Sequence, residues 1–318
     1  MRIVNHIFKG ARNGIRLAAN FIYPETAPVS SSANTKAYTL LFVHANGFHK
    51  ELWYPVISRL FNQMKQSSGP DGNSFVIEKA VAFDVCHSGE SAILNKDKLQ
   101  FAEIRYSWCD NARDVLSVAE QLNVPASKLV GIGHSYGASS LMVAEIMRPS
   151  TFHSIFAVDP VLMFNPNTDN APIVIQTLRR KNKWSTKEDF LKYIRSKPLY
   201  ASWTDECQAL FVEHGITPDP SDPSSFILSC APKFEAATFR GPTSALRTLH
   251  GSTHMLTCPL HLVVGETSDV LNPALANSFI SKTPLGSFSV VPNSSHLITM
   301  EYPEIIASKF YNFLESNP

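Results

Sequence analysis

The pentapeptide Gly133-His134-Ser135-Tyr136-Gly137 constrains the fold of this chain more than any other feature of its sequence. The apolar run over 127–132 that precedes it suits a buried strand, and residues 138–147 after it have helical character. A G-x-S-x-G between a strand and a helix forces a sharp turn with a strained central residue. Glycines on both sides let the strand and the helix approach each other without Cβ clashes. We therefore predict that Ser135 presents its hydroxyl as a nucleophile.

The same turn supplies a second chemical feature, because Tyr136 opens the predicted helix. A backbone N–H in the first helical turn has no intrahelical acceptor and lies at the positive end of the helix dipole. The Tyr136 N–H can therefore stabilise negative charge on a substrate oxygen, as one half of an oxyanion hole. The second donor should come from the loop after the predicted strand 37–43. Asn46 is our choice for it, and Gly47 is the alternative.

The composition describes an ordinary globular protein, with 318 residues, 44% hydrophobic, 17% charged and a net charge of +1. A chain of this length forms one large α/β domain with an insertion, or two ordinary domains. The charge balance gives no basic surplus, so we expect no nucleic-acid partner. The five cysteines are scattered and form no C-x-x-C pair, which favours reduced intracellular thiols.

The apolar runs are shorter than the roughly 20 residues that span a bilayer, so we expect no integral membrane segment. The residues before Glu25 include four basic residues and no acid, which resembles a mitochondrial presequence in charge. We favour instead a hairpin of two strands, 3–8 and 15–22, because Asn13-Gly14 between them is a turn signal. We expect an intracellular, cytoplasmic location, with the mitochondrion as an alternative. The sequence leaves the oligomeric state open.

Apolar strands alternate with helices along most of the chain. The predicted strands cover 37–43, 75–84, 127–132, 154–159, 260–265 and 288–291, and the predicted helices cover 52–64, 108–122, 138–147 and 303–315. This alternation predicts an α/β fold with a mostly parallel, doubly wound sheet. Residues 161–257 interrupt it with helical segments, and we expect a mainly helical cap there, between core parts 1–160 and 258–318. A cap over the serine would exclude water and shape a substrate pocket.

His296 is our candidate for the base that takes the proton of Ser135, because imidazole titrates near neutrality. Position selects it among eleven histidines. It follows the last predicted strand and precedes the terminal helix, where a loop can reach over the carboxyl edge of the sheet.

The base needs a carboxylate that fixes its tautomer and stabilises the imidazolium. The segment after the predicted strand 260–265 offers Glu266 and Asp269, of which we prefer Asp269. The alternative acid is Asp159, at the end of the strand that follows the serine-bearing helix. We rank Asp159 second because strand-end carboxylates are frequently structural.

The chain resembles the α/β-hydrolase superfamily over nearly its whole length. The order Ser135, Asp269, His296 is the order expected of that family. The segment 44–48, His-Ala-Asn-Gly-Phe, is similar to its oxyanion-loop H-G-x motif, and 84–91 is similar to its D-x-x-x-x-G-x-S loop. The resemblance implies the α/β-hydrolase fold, with a helical cap inserted after the strand that follows the nucleophile helix.

A looser resemblance points to the fungal peroxisomal lipase and toxin-biosynthesis hydrolase group. It is carried by Trp108-Cys109-Asp110, Arg179-Arg180-Lys181 and the segment 229–236. It implies a lipase-like serine esterase and adds the peroxisome as a possible address, although the chain does not end in the S-K-L tripeptide. By itself, the basic run 179–183 is interpreted as a solvated helical face.

Other kinds of site have little support in the sequence. His250 and His254 have a spacing that could ligate zinc, but the segment lacks the glutamate of H-E-x-x-H, and we expect no metal. We also expect no cofactor, because no dinucleotide or phosphate-loop glycine pattern follows a strand. Our hypothesis is hydrolysis of a small-molecule carboxylic ester or thioester. The alternatives are a C–C bond hydrolase or acyltransferase with the same three residues, and a ligand-binding receptor on this fold.

Overall fold

The computed structural model of the protein describes residues 1–26, 35–67, 75–163 and 168–317. In these ranges the chain forms two sheets. The strands are β1 Arg2–Lys9, β2 Arg16–Tyr23, β3 Lys36–Val43, β4 Phe75–Phe83, β5 Leu129–His134, β6 Ser154–Val158, β7 Lys183–Trp184, β8 Ile216–Asp219, β9 Asp222–Leu228, β10 Leu260–Gly265 and β11 Gly286–Val291.

Helices connect these strands and cover both faces of the larger sheet. They are α1 Tyr54–Gln66, α2 Gly89–Leu94, α3 Trp108–Leu122, α4 Tyr136–Met147, α5 Pro172–Arg179, α6 Lys187–Arg195, α7 Pro198–Ala201, α8 Asp205–His214, α9 Pro232–Phe239, α10 Thr243–Gly251, α11 Pro273–Ile280, α12 Ile298–Glu301 and α13 Pro303–Ser316. Short 3₁₀ turns lie at Lys50–Trp53, Leu99–Ala102, Ala126–Lys128 and Thr253–Met255.

The larger sheet has eight strands in the order β1-β2-β4-β3-β5-β6-β10-β11. The strands from β4 to β11 in that order run parallel, whereas β1 and β2 pair antiparallel along their whole length. The predicted α/β fold with a mostly parallel, doubly wound sheet is therefore confirmed. The predicted hairpin is also present, and Gly14 between its strands has a φ of 77°.

The core lies on both faces of this sheet. On one face, apolar residues of α1 and α13 pack against the strands, with Ile57, Leu60 and Phe310 among them. On the other face, α3, α4, α10 and α11 supply the packing. The strands between them are buried from both sides, which explains why β3 and β5 read as continuous apolar runs instead of alternating ones.

The segment between β6 and β10 contains α5 to α10 and a small antiparallel sheet in the order β7-β9-β8. This sheet was not predicted, because β7 has two residues and β9 begins with the polar stretch 222–225. Trp184, Phe190 and Phe211 form a separate apolar cluster in this segment. Its first part, 164–167, lies outside the described residues, and the cap boundaries stay a prediction.

Candidate active site

Ser135 occupies the sharp turn between β5 and α4. Its φ of 56° and ψ of −124° lie in a region that residues other than glycine rarely adopt. The flanking glycines are required by close packing, because a Cβ on Gly137 would lie 2.4 Å from the Val43 carbonyl oxygen. A Cβ on Gly133 would lie 2.6 Å from the Ala138 Cα. The turn therefore holds the serine rigidly at the carboxyl end of β5.

His296 and Asp159 complete a hydrogen-bonded chain that starts at this serine. The distance from Ser135 Oγ to His296 Nε2 is 2.8 Å, and the distance from His296 Nδ1 to Asp159 Oδ1 is also 2.8 Å. The chain fixes one tautomer of the imidazole, in which Nδ1–H donates to the carboxylate and Nε2 accepts from the serine hydroxyl. The three side chains thus have the geometry of a nucleophile, a base and an orienting acid.

The preference for Asp269 as the acid does not match this geometry. Asp269 is exposed, whereas Asp159 is fully buried and lies against the imidazole. The physical reason is the position of β6, which lies between β5 and β10 and ends beside the serine turn. Asp159 follows β6 directly and has a φ of 42°, a bend at the end of the strand. The alternative acid named from the sequence is therefore the one that the structure brings to His296.

The segment after β10 does not supply the acid, but it donates hydrogen bonds to the Asp159 carboxylate. The Gly265 backbone N–H donates to Asp159 Oδ2 at 2.8 Å, and the Ser268 hydroxyl donates to Oδ1 at 2.7 Å. Glu266, the other candidate from this segment, accepts a hydrogen bond from the Asn293 backbone N–H at 2.8 Å. With three donors, counting His296, the buried Asp159 carboxylate is well satisfied.

His134 supports the loop that carries His296, and the sequence analysis missed this role. Its Nε2 lies 2.8 Å from the His296 carbonyl oxygen, and its Nδ1 lies 3.2 Å from Thr299 Oγ1. Burial lowers the pKa of His134 to about 3, so the ring is neutral and Nε2–H donates to the carbonyl. The sequence feature that could have indicated this role is the position of His134 inside the G-x-S-x-G pentapeptide, directly before the serine.

The loop after β3 faces the serine turn from the neighbouring strand. His44 fixes its shape, because His44 Nδ1 lies 2.7 Å from the Ala45 carbonyl oxygen and Nε2 accepts from the Val85 N–H at 3.0 Å. Burial lowers the pKa of His44 to about 4, which keeps this ring neutral. Gly47 has a φ of 80°, a conformation that glycine adopts at little cost.

The two backbone donors considered for this loop have different surroundings. Burial raises the pKa of the Cys230 thiol to about 12, and the nearby Gly47 backbone acts in the opposite direction. Asn46 stays the predicted source of the second oxyanion donor, beside the N–H of Tyr136 at the first position of α4.

Helix α9 and the end of α5 lie behind this loop. The Asn46 side-chain amide donates to the Glu235 carbonyl oxygen at 3.0 Å. The Glu235 carboxylate accepts two hydrogen bonds from the Arg180 guanidinium, of which the one from Nη1 to Oε1 measures 3.2 Å. The side chains of Arg180 and Glu235 are only 20% and 8% exposed. The interpretation of the basic run 179–183 as a solvated face is therefore wrong for Arg180.

The histidine pair considered as a zinc site lies outside the group formed by Ser135, His296 and Asp159. His250 Nε2 lies 2.6 Å from the Leu162 carbonyl oxygen. Within residues 1–26, 35–67, 75–163 and 168–317, no group of three His, Cys, Asp or Glu side chains has the arrangement of a metal site. In the same ranges, the structure contains no helix with the length and apolar character that crossing a bilayer requires.

Most of the chain matches a known protein family. The alpha/beta hydrolase family matches residues 40–309. The peroxisomal membrane protein LPX1 of Saccharomyces cerevisiae is 21% identical over 91% of this chain and 78% of its own length. The type I acyl-CoA thioesterase mpaH of Penicillium brevicompactum is 29% identical, but the match covers 50% of this chain and 36% of that protein.

Solved structures agree in fold at low identity. The peroxisomal alpha-beta-hydrolase Lpx1 of Saccharomyces cerevisiae superposes with a TM-score of 0.83 over 99% of this chain and 88% of its own, at 19% identity. An E-2-(acetamidomethylene)succinate hydrolase superposes with a TM-score of 0.72 over 99% of this chain and its entire length, also at 19% identity.

Proposed function

Because this chain belongs to the alpha/beta hydrolase family, we propose that it is a serine hydrolase that cleaves a carboxylic ester or thioester through an acyl-enzyme intermediate. The observation that carries the proposal is the pair of 2.8 Å hydrogen bonds that link Ser135 to His296 and His296 to Asp159. Members of this fold differ widely in substrate, so the proposal rests on these side chains and not on the fold.

In the first step, Ser135 Oγ attacks the carbonyl carbon of the substrate. His296 Nε2 takes the serine proton, and Asp159 stabilises the imidazolium through the hydrogen bond to Nδ1–H. The bond to the leaving alcohol or thiol then breaks, and the proton passes from His296 to that group. The product of this step is an ester between Ser135 and the acyl group.

In the second step, a water molecule takes the place of the leaving group. His296 Nε2 removes a proton from the water as it attacks the acyl carbon, and then returns a proton to Ser135 Oγ as the acid leaves. Both steps pass through a tetrahedral oxyanion. We propose that the backbone N–H groups of Tyr136 and Asn46 bind it, and loss of one such donor costs about a hundredfold or more in rate.

We further propose that residues 161–257 form the cap that shapes the acyl pocket. The apolar cluster of this segment packs against residues of the main body that adjoin the site. Phe48, the last residue of the oxyanion-loop segment 44–48, lies edge to face with Trp203, at 5.3 Å between ring centroids. Leu297, in the same cluster, follows His296. This segment therefore contacts residues beside the oxyanion loop and beside His296.

The names of two relatives bear on the proposed substrate class and location. The Penicillium relative is a thioesterase by name, and its match covers about a third of its length, so the thioester remains one of two substrate classes proposed here. The cellular address also stays a prediction. The yeast relative is named for the peroxisome, one of the locations considered from the sequence.

The test is labelling by a fluorophosphonate probe, which reacts with activated serines. Wild-type protein should be labelled, and Ser135→Ala should abolish the labelling. Ser281→Ala is the matched control, because Ser281 is an exposed serine after α11 and should leave labelling unchanged. Labelling of Ser135→Ala at the wild-type level would contradict the proposal. A panel of esters and thioesters of increasing acyl length would then identify the substrate class.

A further inference from the structure

A buried ion pair lies directly behind the loop that we assign to the oxyanion hole. Its members are Arg180, which follows α5, and Glu235 on α9. The guanidinium donates through both terminal nitrogens to the two carboxylate oxygens, a bidentate geometry. The proposed reaction does not use either residue, and both come from the segment between β6 and β10.

The Glu235 carboxylate packs against the loop backbone with no room to spare. A Cβ placed on Gly47 would lie 2.7 Å from Glu235 Cδ and 2.9 Å from Oε1. Because glycine has no Cβ, it leaves room for the Glu235 carboxylate to contact the loop backbone at position 47. The Asn46 side chain holds the same helix, through its hydrogen bond to the Glu235 carbonyl oxygen at 3.0 Å. Two neighbouring loop residues thus depend on where Glu235 lies.

Arg180 determines where the Glu235 side chain lies. Burial raises the pKa of Glu235, and the nearby guanidinium opposes this shift. A buried carboxylate that loses the charged partner beside it turns toward water or takes up a proton. In either case the contact with Gly47 would change. Tyr200 is buried close to Arg180, and packing there restricts the guanidinium in turn.

We propose that the Arg180–Glu235 ion pair is a positioning device for the oxyanion loop, so that these two residues set the rate of hydrolysis without touching the substrate. The inference rests on the proposed function. A donor that is displaced by a fraction of an ångström still lets substrate bind, but it stabilises the transition state less well. The pair should therefore affect kcat far more than KM.

The experiment compares Glu235→Gln with the wild-type enzyme on the ester or thioester that the panel identifies. Glutamine keeps the size of the side chain and the backbone carbonyl that Asn46 uses, but removes the charge. We expect kcat to fall between about tenfold and a hundredfold, with KM within about twofold. A kcat equal to that of the wild type would overturn the proposal, as would an effect confined to KM.

A second measurement separates positioning from a general loss of structure. Octyl trifluoromethyl ketone adds to serine: Oγ bonds to the carbonyl carbon, the carbonyl electron pair moves to oxygen as an oxyanion, and His296 takes the proton. The matching unfluorinated ketone binds without this addition. Glu235→Gln should weaken the fluorinated ketone by the same factor as kcat and leave the other unchanged. Equal weakening of both ketones would indicate a merely structural role.

Two further variants serve as controls, one for the loss of an ion pair in general and one for the case that Glu235→Gln does not fold. Arg195→Gln breaks an exposed ion pair with Asp205 on the same segment and should leave both ketone affinities unchanged. If Glu235→Gln does not fold, the double variant Arg180→Met with Glu235→Leu replaces the buried pair by apolar side chains, which often preserves stability. A folded double variant with low kcat supports the proposal, and one with wild-type kcat overturns it.

The inference and the proposed function fail in different ways. If the function is wrong, the wild-type enzyme will show no Ser135-dependent turnover of any ester or thioester. If only the inference is wrong, the wild-type enzyme will be active and the variants of the pair will match it. The fluorinated ketone can be measured in both cases, because its addition to Ser135 requires no turnover.

Discussion

Replacing Asp159 by asparagine tests the proposed acid most directly. The carboxylate of Asp159 accepts from His296 Nδ1 and the Ser268 hydroxyl on one oxygen, and from the Gly265 N–H on the other. Asparagine has the same shape, but one of its two positions is an amide NH₂. If the amide oxygen stays on Gly265, the NH₂ group faces His296. The imidazole must then accept at Nδ1 and carry its proton on Nε2.

That tautomer cannot take the proton of Ser135, so the substitution should almost abolish turnover. In serine hydrolases with this geometry, the corresponding change lowers kcat by about 10⁴. The equivalent loss of transition-state stabilisation is about 5.5 kcal/mol. The opposite orientation of the amide is also unfavourable, because its NH₂ group would face the Gly265 N–H. Asp159→Asn should therefore lower kcat by between about 10³ and 10⁴, with KM little changed.

The assay is single-turnover hydrolysis of an activated ester, with the rate of fluorophosphonate labelling of Ser135 as an independent readout. Asp269→Asn is the matched control, since that carboxylate is exposed and should leave kcat within about twofold. A wild-type rate for Asp159→Asn together with a large loss for Asp269→Asn would refute the reasoning and restore the acid preferred from the sequence.

Two further predictions concern stability, measured as the free energy of unfolding in urea. Gly137→Ala should lower it by about 3 kcal/mol or more, since the new Cβ would lie 2.4 Å from the Val43 carbonyl oxygen; Gly251→Ala, at the end of α10 with open space around it, should instead raise it slightly. Burial lowers the pKa of His87 from 6.5 to about 3. Below pH 6.5 the imidazole therefore binds a proton in the unfolded chain but not in the folded chain, so the free energy of unfolding falls as the pH falls. Between pH 7 and pH 5 this histidine should lower the free energy of unfolding by about 2 kcal/mol, and His87→Gln should remove that part of the pH dependence. An unchanged dependence in the variant would contradict this assignment.

The elements around the serine were predictable because their signals are local. The helix predicted at 138–147 is observed as Tyr136–Met147, and the strand predicted at 37–43 as Lys36–Val43. The strand predicted at 127–132 is displaced, and runs over Leu129–His134. A 3₁₀ turn occupies Ala126–Lys128, and the strand continues through Gly133 until the serine turn ends it. Apolar character alone does not mark such a limit.

The features that escaped prediction depend on contacts between distant parts of the chain. Arg180 lies in a basic run that looks solvated, and only the fold brings Glu235, 55 residues later, against its guanidinium. The strand β7 has two residues, and it exists because β9 offers it backbone partners. Neither feature has a periodicity that a reader of the sequence could detect.

The choice between the two acids shows why chain order could not decide the site. Asp159 also lies between Ser135 and His296 in the sequence, so the order serine, acid, histidine is equally satisfied by both candidates. Neighbouring strands do decide it, because β6 lies between β5 and β10 and ends beside the serine turn. The segment after β10 then gains a different role, since the Gly265 N–H and the Ser268 hydroxyl hold the Asp159 carboxylate. Ser268→Ala removes one donor to that carboxylate, so it should reduce kcat modestly and leave Ser135 able to react. A change that removed the acid itself would nearly abolish turnover.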